Sequence, residues 1–255
     1  MRETTVRESQ AMSAADVLAA FRDMHRHQAA LYQADPTAEL DRGTSIEEWR
    51  DACDLVPARQ LGLALNDWFE IRLSDSEWLS VLEAPGATLG DVCELIARDA
   101  RLPASRPVRL LGVSCSHAGV FLALRTLLAG RGARIAAIRP STRIAEIPPE
   151  HALELVWTVG RLAPGVLPPP VIEGTFAQKC STSLLWGSFA LLLSALVASS
   201  DALGVGALLG VVAGVFGTGI THRLPPKTVR YEGLGTLGDL AKAIVKHRAT
   251  GPGEP

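Results

Sequence analysis

The stretch CSTSLLWGSFALLLSALVASSDALGVGALLGVVAGVFGTGIT, residues 180–221, contains one charged residue, Asp201, between two apolar runs. Each run is about 20 residues long, and a helix of that length spans the roughly 30 Å hydrocarbon core of a bilayer. The run from Leu203 to Ile220 is apolar all round a helix and has no polar stripe to face water. The stretch therefore predicts a two-helix transmembrane hairpin. A buried helical hairpin in a soluble protein is the alternative.

Basic residues flank the predicted hairpin on both sides. Lys179 precedes it, and Arg223, Lys227 and Arg230 follow it, whereas the connecting Ser199-Ser200-Asp201 carries no positive charge. Because segments rich in Lys and Arg stay on the cytoplasmic side of a membrane, we expect both termini to be cytoplasmic. The flanks thus predict an integral protein of the inner or cytoplasmic membrane, in contact with membrane lipid.

Small residues recur at every fourth position in the second apolar run: Ala202, Gly206, Gly210 and Gly214. They fall on one face of a helix, where another helix can approach closely. That partner is either the first arm of the hairpin or a second copy of the chain. A homo-oligomer or a small pore assembled through this face is therefore an alternative function.

Charge is distributed unevenly along the chain, although the formal net charge is only −2. Residues 1–100 contain 19 Asp or Glu and 9 Lys or Arg, whereas the remaining residues contain 8 and 16. Anionic lipid repels an acidic lobe and attracts a basic one, so we expect the second half to lie nearer the membrane. The basic residues are scattered rather than clustered with aromatic side chains, which disfavours nucleic-acid binding.

Helix-capping patterns recur through the soluble part of the chain. Ser13 opens a helix that runs to about Gln33, and capping boxes stand at Ser45-Ile-Glu-Glu48 and Ser74-Asp-Ser-Glu77. We predict a mainly α fold. Its predicted parts are a disordered tail (1–12), an acidic helical bundle (13–105), a connecting helical segment (106–139), a second helical unit (140–250) interrupted by the hairpin (180–221), and a disordered tail (251–255).

Two pairs of short segments match each other. Thr44-Ser-Ile46-Glu-Glu48 resembles Thr142-Arg-Ile144-Ala-Glu146, and Thr88-Leu-Gly-Asp91 resembles Thr236-Leu-Gly-Asp239. The matches occur in the same order, 44 residues apart in the first copy and 94 apart in the second. The excess is close to the length of the hairpin with its flanks. The pattern therefore predicts an internal repeat whose second copy contains the hairpin.

A family resemblance accompanies the repeat. The segment from Leu65 to Glu77, LNDWFEIRLSDSE, followed by Thr88-Leu-Gly-Asp91, resembles the latter half of acyl carrier proteins. Those proteins attach phosphopantetheine to a serine in an Asp-Ser-Leu motif. Counting back from Phe69, that place is occupied by Asp54-Leu55-Val56, and leucine has no hydroxyl to modify. The resemblance thus implies degenerate, duplicated carrier-like domains without the cofactor, and leaves an accessory role in acyl or lipid metabolism as an alternative.

No complete catalytic or metal-binding pattern is found in the sequence. Ser114-Cys115-Ser116-His117 places a thiol beside an imidazole, but neighbours in sequence seldom form a nucleophile and its base. The four cysteines form no CxxC pair, and we expect reduced, mostly buried thiols. His25 and His27 are two residues apart on a helix, point in different directions and are expected at the surface. The sequence predicts no catalytic residue, cofactor or metal.

Acidic residues recur around the predicted helices of the first lobe. Six of them are candidates for a face that binds a basic partner: Asp51, Asp54, Asp67, Glu70, Asp75 and Glu77. An ordinary solvated surface is the alternative. Together with the hairpin and the serine-less repeat, this face favours a non-enzymatic, membrane-anchored adaptor or scaffold that binds a protein partner at the cytoplasmic face.

Overall fold

The computed structural model describes residues 10–31, 34–110, 113–130, 138–147, 149–173 and 228–250. The predicted hairpin (180–221), its face of Ala202, Gly206, Gly210 and Gly214, and the tail 251–255 lie outside the described residues. Within the described ranges, no helix is both long and apolar enough to cross a membrane.

The described residues are mainly helical, as the capping patterns predict. The α-helices are α1 Ala14–Ala30, α2 Ile46–Ala52, α3 Ala58–Phe69, α4 Asp75–Leu82, α5 Leu89–Asp99, α6 Ser116–Gly130, α7 Pro149–Leu162 and α8 Leu237–Thr250. A short 3-10 helix spans Ile144–Glu146. The strands are β1 Gln10–Ala11, β2 Arg101–Leu102, β3 Val108–Leu110, β4 Val113–Cys115, β5 Pro170–Glu173 and β6 Thr228–Tyr231.

The strands form three two-stranded sheets, β1 with β2, β3 with β4, and β5 with β6. The first two pairs are antiparallel. The predicted disordered tail over residues 1–12 thus ends in a strand, because Gln10 pairs with Leu102 and Ala11 with Arg101. The chain divides into two compact units, Met1–Val171 with Arg230–Pro255, and Ile172–Val229. The sites below lie in the first unit.

Reciprocal capping boxes begin the helices where the sequence predicts them. The Ser45 backbone N–H donates to a Glu48 carboxylate oxygen at 2.9 Å, and the Glu48 N–H donates to Ser45 Oγ at 3.2 Å. Ser13 with Asp16 and Ser74 with Glu77 form the same motif. Each box satisfies N–H groups that a helix start leaves without partners.

The core of the first unit surrounds α1. This helix packs on α5 and α7, α6 packs on α7 and α8, and α3 packs on α4. Phe21 of α1 is 3% exposed, and its ring centroid lies 5.0 Å from that of Trp49, 5.6 Å from Trp68 and 5.9 Å from Phe69. Helical spacing with aliphatic residues predicts that four tryptophans belong to the core. Trp49, Trp68 and Trp78 are buried, whereas Trp157 is half-buried.

The two matched Thr-Leu-Gly-Asp segments have the same local structure. Leu89 N donates to the carbonyl of Thr44 at 2.8 Å, and Leu237 N donates to that of Thr142 at 3.0 Å. The glycines make a second matching pair of bonds, Gly90 N to the Arg42 carbonyl at 2.9 Å and Gly238 N to the Pro140 carbonyl at 2.8 Å. Both helices that follow, α5 and α8, are therefore tied to their preceding loops in the same way.

Replacing either of these glycines by alanine is expected to lower the free energy of unfolding by about 1 to 3 kcal/mol. A Cβ at Gly90 would lie 2.8 Å from the Arg42 carbonyl oxygen, and a Cβ at Gly238 would lie 2.9 Å from that of Pro140. Urea unfolding of the full chain in detergent measures the change. Gly130→Ala is the control, because nothing lies within 4 Å of the added methyl. Unequal losses at the two sites would contradict their equivalence.

Candidate functional site

The connection between α2 and α3 includes Asp54-Leu55-Val56, the stretch that the carrier-like resemblance aligns with a modified serine. After α2, Asp54 adopts a left-handed conformation with φ 46°, and the Leu55 N–H donates to the Arg50 carbonyl at 3.0 Å. Asp54 is exposed, and Val56 is 45% exposed. The short stretch 54–56 thus projects to the surface, and Pro57 then caps α3.

An apolar pocket of about 270 Å³, the tryptophan pocket, lies on one side of this stretch. Its walls include Phe21, Trp49, Leu55, Val56, Trp68 and Trp157. The rings of Trp68 and Trp157 stack with centroids 5.6 Å apart and planes 18° from parallel. Trp68 Nε1 donates to the Trp157 carbonyl at 3.2 Å. These contacts connect α3 to α7 and hold two of the indole walls in place.

A second pocket, of about 750 Å³, lies on the other side of the same stretch. We call it the acidic pocket, because its lining includes Glu47, Asp51, Asp54 and Glu83 against the single cation Arg50. None of the four carboxylates forms an ion pair with any residue that the structure describes. Asp54 and Leu55 line both pockets, so the apolar and acidic surfaces meet at these two residues.

The six acidic residues singled out from the sequence have different roles in the structure. Asp51 and Asp54 line the acidic pocket. Asp75 pairs with Arg59 at 3.0 Å, Glu70 pairs with the buried Arg161, and Asp67 is exposed on α3. Glu77 caps α4 and pairs with Arg98 at 3.2 Å. Hydrogen bonds from Ser74 hold the pKa of Glu77 below its ordinary value. Of the six, Asp51 and Asp54 thus lie together at the acidic pocket.

Sequence reasoning missed Glu47 and Glu83 as site residues. Glu47 belongs to α2, whereas Glu83 follows α4, and the fold brings both to the acidic pocket. The hydrogen bond from Ile46 N to the Ala87 carbonyl, at 3.2 Å, connects the start of α2 to the loop before α5. No local pattern predicts that contact between distant segments.

Two of the thiols, Cys53 and Cys93, lie in surroundings that suppress nucleophilic chemistry. Burial raises the pKa of Cys53 to about 11 and that of Cys93 to about 12, so both are protonated at neutral pH. Their predicted burial is confirmed. Cys115 is half-buried and forms no hydrogen bond to His117. Within the described ranges, no group of three His, Cys, Asp or Glu side chains could hold a metal ion.

The prediction that His25 and His27 lie at the surface is wrong. They are 6% and 1% exposed, because α1 is covered on more than one side. His25 Nε2 lies 2.9 Å from the Asp35 carbonyl oxygen, and His27 Nδ1 lies 3.2 Å from the hydroxyl of the buried Tyr231. Burial lowers the pKa of His27 from 6.5 to about 4, so the ring is neutral at neutral pH.

Acidification is expected to destabilise the protein through His27. In the unfolded chain His27 takes up its proton near pH 6.5, whereas in the folded chain it does so near pH 4. The contribution to stability is therefore full above about pH 6.5, declines as the pH falls, and levels off below about pH 4. The shift corresponds to a loss of about 3 kcal/mol. Urea unfolding between pH 7 and pH 4 measures it.

Two variants isolate the His27 contribution. His27→Gln removes the titrating group and should make the loss of stability on acidification smaller, while the contributions of carboxylates with shifted pKa values, such as Asp23 and Glu77, remain. Tyr231→Phe removes the hydrogen bond at Nδ1 but keeps the buried imidazole, so its stability should fall with pH as steeply as that of the unmodified chain. A His27→Gln chain with an unchanged pH dependence would show that other groups are responsible.

Together, the two pockets place apolar surface beside charged side chains. They offer indole rings and aliphatic side chains beside carboxylates, a combination that suits an apolar group next to a positive charge. Cys53 and His25 both line the tryptophan pocket, but no hydrogen bond joins them, and the thiol is protonated. The chain matches no protein-family model, no curated protein and no solved structure.

Proposed function

We propose that the protein is a non-enzymatic, membrane-anchored adaptor. In this proposal, the hairpin at 180–221 holds two degenerate carrier-like helical units at the cytoplasmic face. The first, acidic unit then binds a protein partner. The anchoring rests on the two apolar runs of the sequence and on their basic flanks.

The pair of pockets around Asp54 and Leu55 carries the proposal. A carrier protein would attach its prosthetic group at this position, but Leu55 offers no hydroxyl. Instead, the stretch 54–56 stands between an apolar pocket and an acidic one. A surface of this kind, with aromatic residues beside unpaired charges, is suited to recognising another protein.

The repeat supports a carrier-like origin for both units. The matched loops make corresponding backbone hydrogen bonds to Leu89 and Gly90 in one unit and to Leu237 and Gly238 in the other. The helix pairs α1 with α5 and α6 with α8 also correspond in order and in packing. Duplication without a modifiable serine favours a retained structural or binding role over carrier chemistry.

Partner binding is tested with the full chain purified from solubilised membranes after chemical cross-linking. We expect a second protein to co-purify in a fixed ratio and to cross-link to residues of 34–110. Recovery of the chain alone, or cross-links confined to the second helical unit, would contradict the proposal.

Anchoring is tested separately, by fractionation and protease protection. We expect the chain to stay with the membrane after an alkaline wash, with both ends open to protease from the same side. A chain that is monodisperse in buffer without detergent would rule out the anchor. Ends that differ in protection would rule out the hairpin.

A further inference from the structure

We propose that the tryptophan pocket and the acidic pocket together bind one short basic segment of the partner. In this arrangement, a bulky apolar side chain of the segment enters the tryptophan pocket, and neighbouring Lys or Arg side chains lie in the acidic pocket. This inference rests on the proposed function and specifies the chemistry of its partner.

The size of the tryptophan pocket favours a side chain as its occupant. Sites for drug-sized ligands typically enclose about 300 to 1,000 Å³, and this pocket, at about 270 Å³, is smaller. Three indole rings line it, and the stacked pair Trp68 and Trp157 is fixed by a hydrogen bond. A rigid aromatic pocket of this size accommodates the kind of anchor residue that dominates many protein interfaces.

The charge beside the pocket favours a cationic segment. Four carboxylates face one guanidinium in the acidic pocket, and they form no ion pairs within the described part of the chain. Lys or Arg side chains of a partner would supply the missing positive charge, and the attraction would speed association. A fatty acid is disfavoured, because its carboxylate would meet Asp54 at the shared edge.

The two pockets are adjacent, which favours a single segment over two separate ligands. Asp54 and Leu55 border both, and the exposed Val56 stands at the rim of the tryptophan pocket. An apolar residue and a basic residue close together in one peptide can therefore occupy both pockets at once. Joining the contacts in one segment strengthens binding, because the second contact becomes intramolecular.

The probe for this proposal is a fluorescent peptide, Gly-Arg-Phe-Arg-Lys-Gly, titrated against the full chain in detergent by fluorescence anisotropy. We expect saturable binding that weakens as salt rises. Replacing Phe in the peptide by Ala should weaken binding about 30-fold or more. Replacing its basic residues by Glu should abolish it. Equal binding of the Phe and Ala peptides would overturn the proposal.

Variants of the chain address the two pockets separately. Asp51→Asn with Asp54→Asn removes two charges, and asparagine tolerates the left-handed conformation at position 54. Ala64→Leu narrows the tryptophan pocket without changing any charge, since Ala64 is part of its lining. We expect each to weaken binding of the peptide about 10-fold, with the double Asn variant also showing a weaker salt dependence, because Glu47 and Glu83 remain in the acidic pocket. Asp99→Asn, at the end of α5, is the matched control and should bind normally.

Further measurements separate the outcomes. Thermal unfolding identifies any pocket variant that fails to fold. In that case, peptide binding by the other pocket variant tests the proposal. Decanoate is the competing probe: if it saturates the pocket while the peptide does not bind, an acyl chain is the occupant and the inference is wrong. A partner that co-purifies with the double Asn and Ala64→Leu variants as well as with the unmodified chain would overturn the inference but leave the adaptor function standing.

Discussion

Replacing Phe21 by alanine is expected to lower the free energy of unfolding by about 3 to 5 kcal/mol. The ring is 3% exposed and contacts Trp49 at 5.0 Å, Trp68 at 5.6 Å and Phe69 at 5.9 Å, all between centroids. Its removal leaves a cavity among three rigid aromatic rings, which cannot close round it without leaving their packed positions. Urea unfolding of the full chain in detergent measures the loss.

Two further substitutions serve as comparisons for Phe21→Ala. Phe21→Leu keeps most of the side-chain volume. It should lower the free energy of unfolding by less than half as much as Phe21→Ala, because only the aromatic contacts are lost. Leu63→Ala removes an apolar side chain that is 57% exposed, and its effect should stay within about 0.5 kcal/mol. If Phe21→Ala were no worse than Leu63→Ala, α1 would not be the centre of the core.

Local signals predict the helix starts well, because capping depends on residues three positions apart. Ser45 with Glu48 and Ser74 with Glu77 form the predicted boxes, and Thr236 with Asp239 repeats the arrangement at α8, where Thr236 Oγ1 donates to the Asp239 carboxylate at 2.8 Å. The burial of the tryptophans on α2, α3 and α4 follows from their spacing with aliphatic residues. These features need no knowledge of the tertiary fold.

The surroundings of α1 could not be predicted in the same way. Its apolar stripe indicates one buried face, but the helix packs on both α5 and α7, and α7 lies more than 100 residues away. Polar residues on the additional face are consequently buried, among them His27 and Asp23. Asp23 accepts a hydrogen bond from Gly165 N at 2.8 Å and pairs with Arg26. Burial nevertheless raises its pKa, opposed by the Arg26 guanidinium.

The sequence singles out some of the residues that line the two pockets, and the fold supplies the others. The carrier-like resemblance directs attention to Asp54-Leu55-Val56, and the structure has pockets on both sides of that stretch. The resemblance does not indicate that Trp157 of α7 forms one wall of the tryptophan pocket, because α7 lies in the segment 140–250, which the sequence predicts to be a separate helical unit. Trp157 contacts α3 by stacking on Trp68. The pocket therefore depends on a contact between α3 and α7, which are far apart in the sequence.

Trp78→Ala is expected to lower the free energy of unfolding by about 3 to 5 kcal/mol, a loss similar to that expected for Phe21→Ala. Trp78 is 1% exposed, and its Nε1 donates to Asn66 Oδ1 at 3.1 Å. The side chain packs directly over Gly62 of α3, where an added Cβ would lie 2.6 Å from Trp78 Cγ. Any side chain at position 62 would push the indole away, so glycine is required there by the close approach of α4 to α3.

A double-mutant cycle tests whether Gly62 and Trp78 are coupled in stability. Gly62→Ala alone should destabilise the protein by about 1 to 3 kcal/mol, because the clash outweighs the better helix propensity of alanine. In the Trp78→Ala background the contacts at 2.6 and 2.7 Å are removed, and the Cβ of position 78 remains 3.0 Å away. The same substitution should therefore destabilise the protein less than it does alone, by at least about 1 kcal/mol. Trp78→Phe controls for the lost hydrogen bond, since it keeps a ring over Gly62. If Gly62→Ala has the same effect in both backgrounds, the two residues are not coupled, and the packing of α4 on α3 must have another basis.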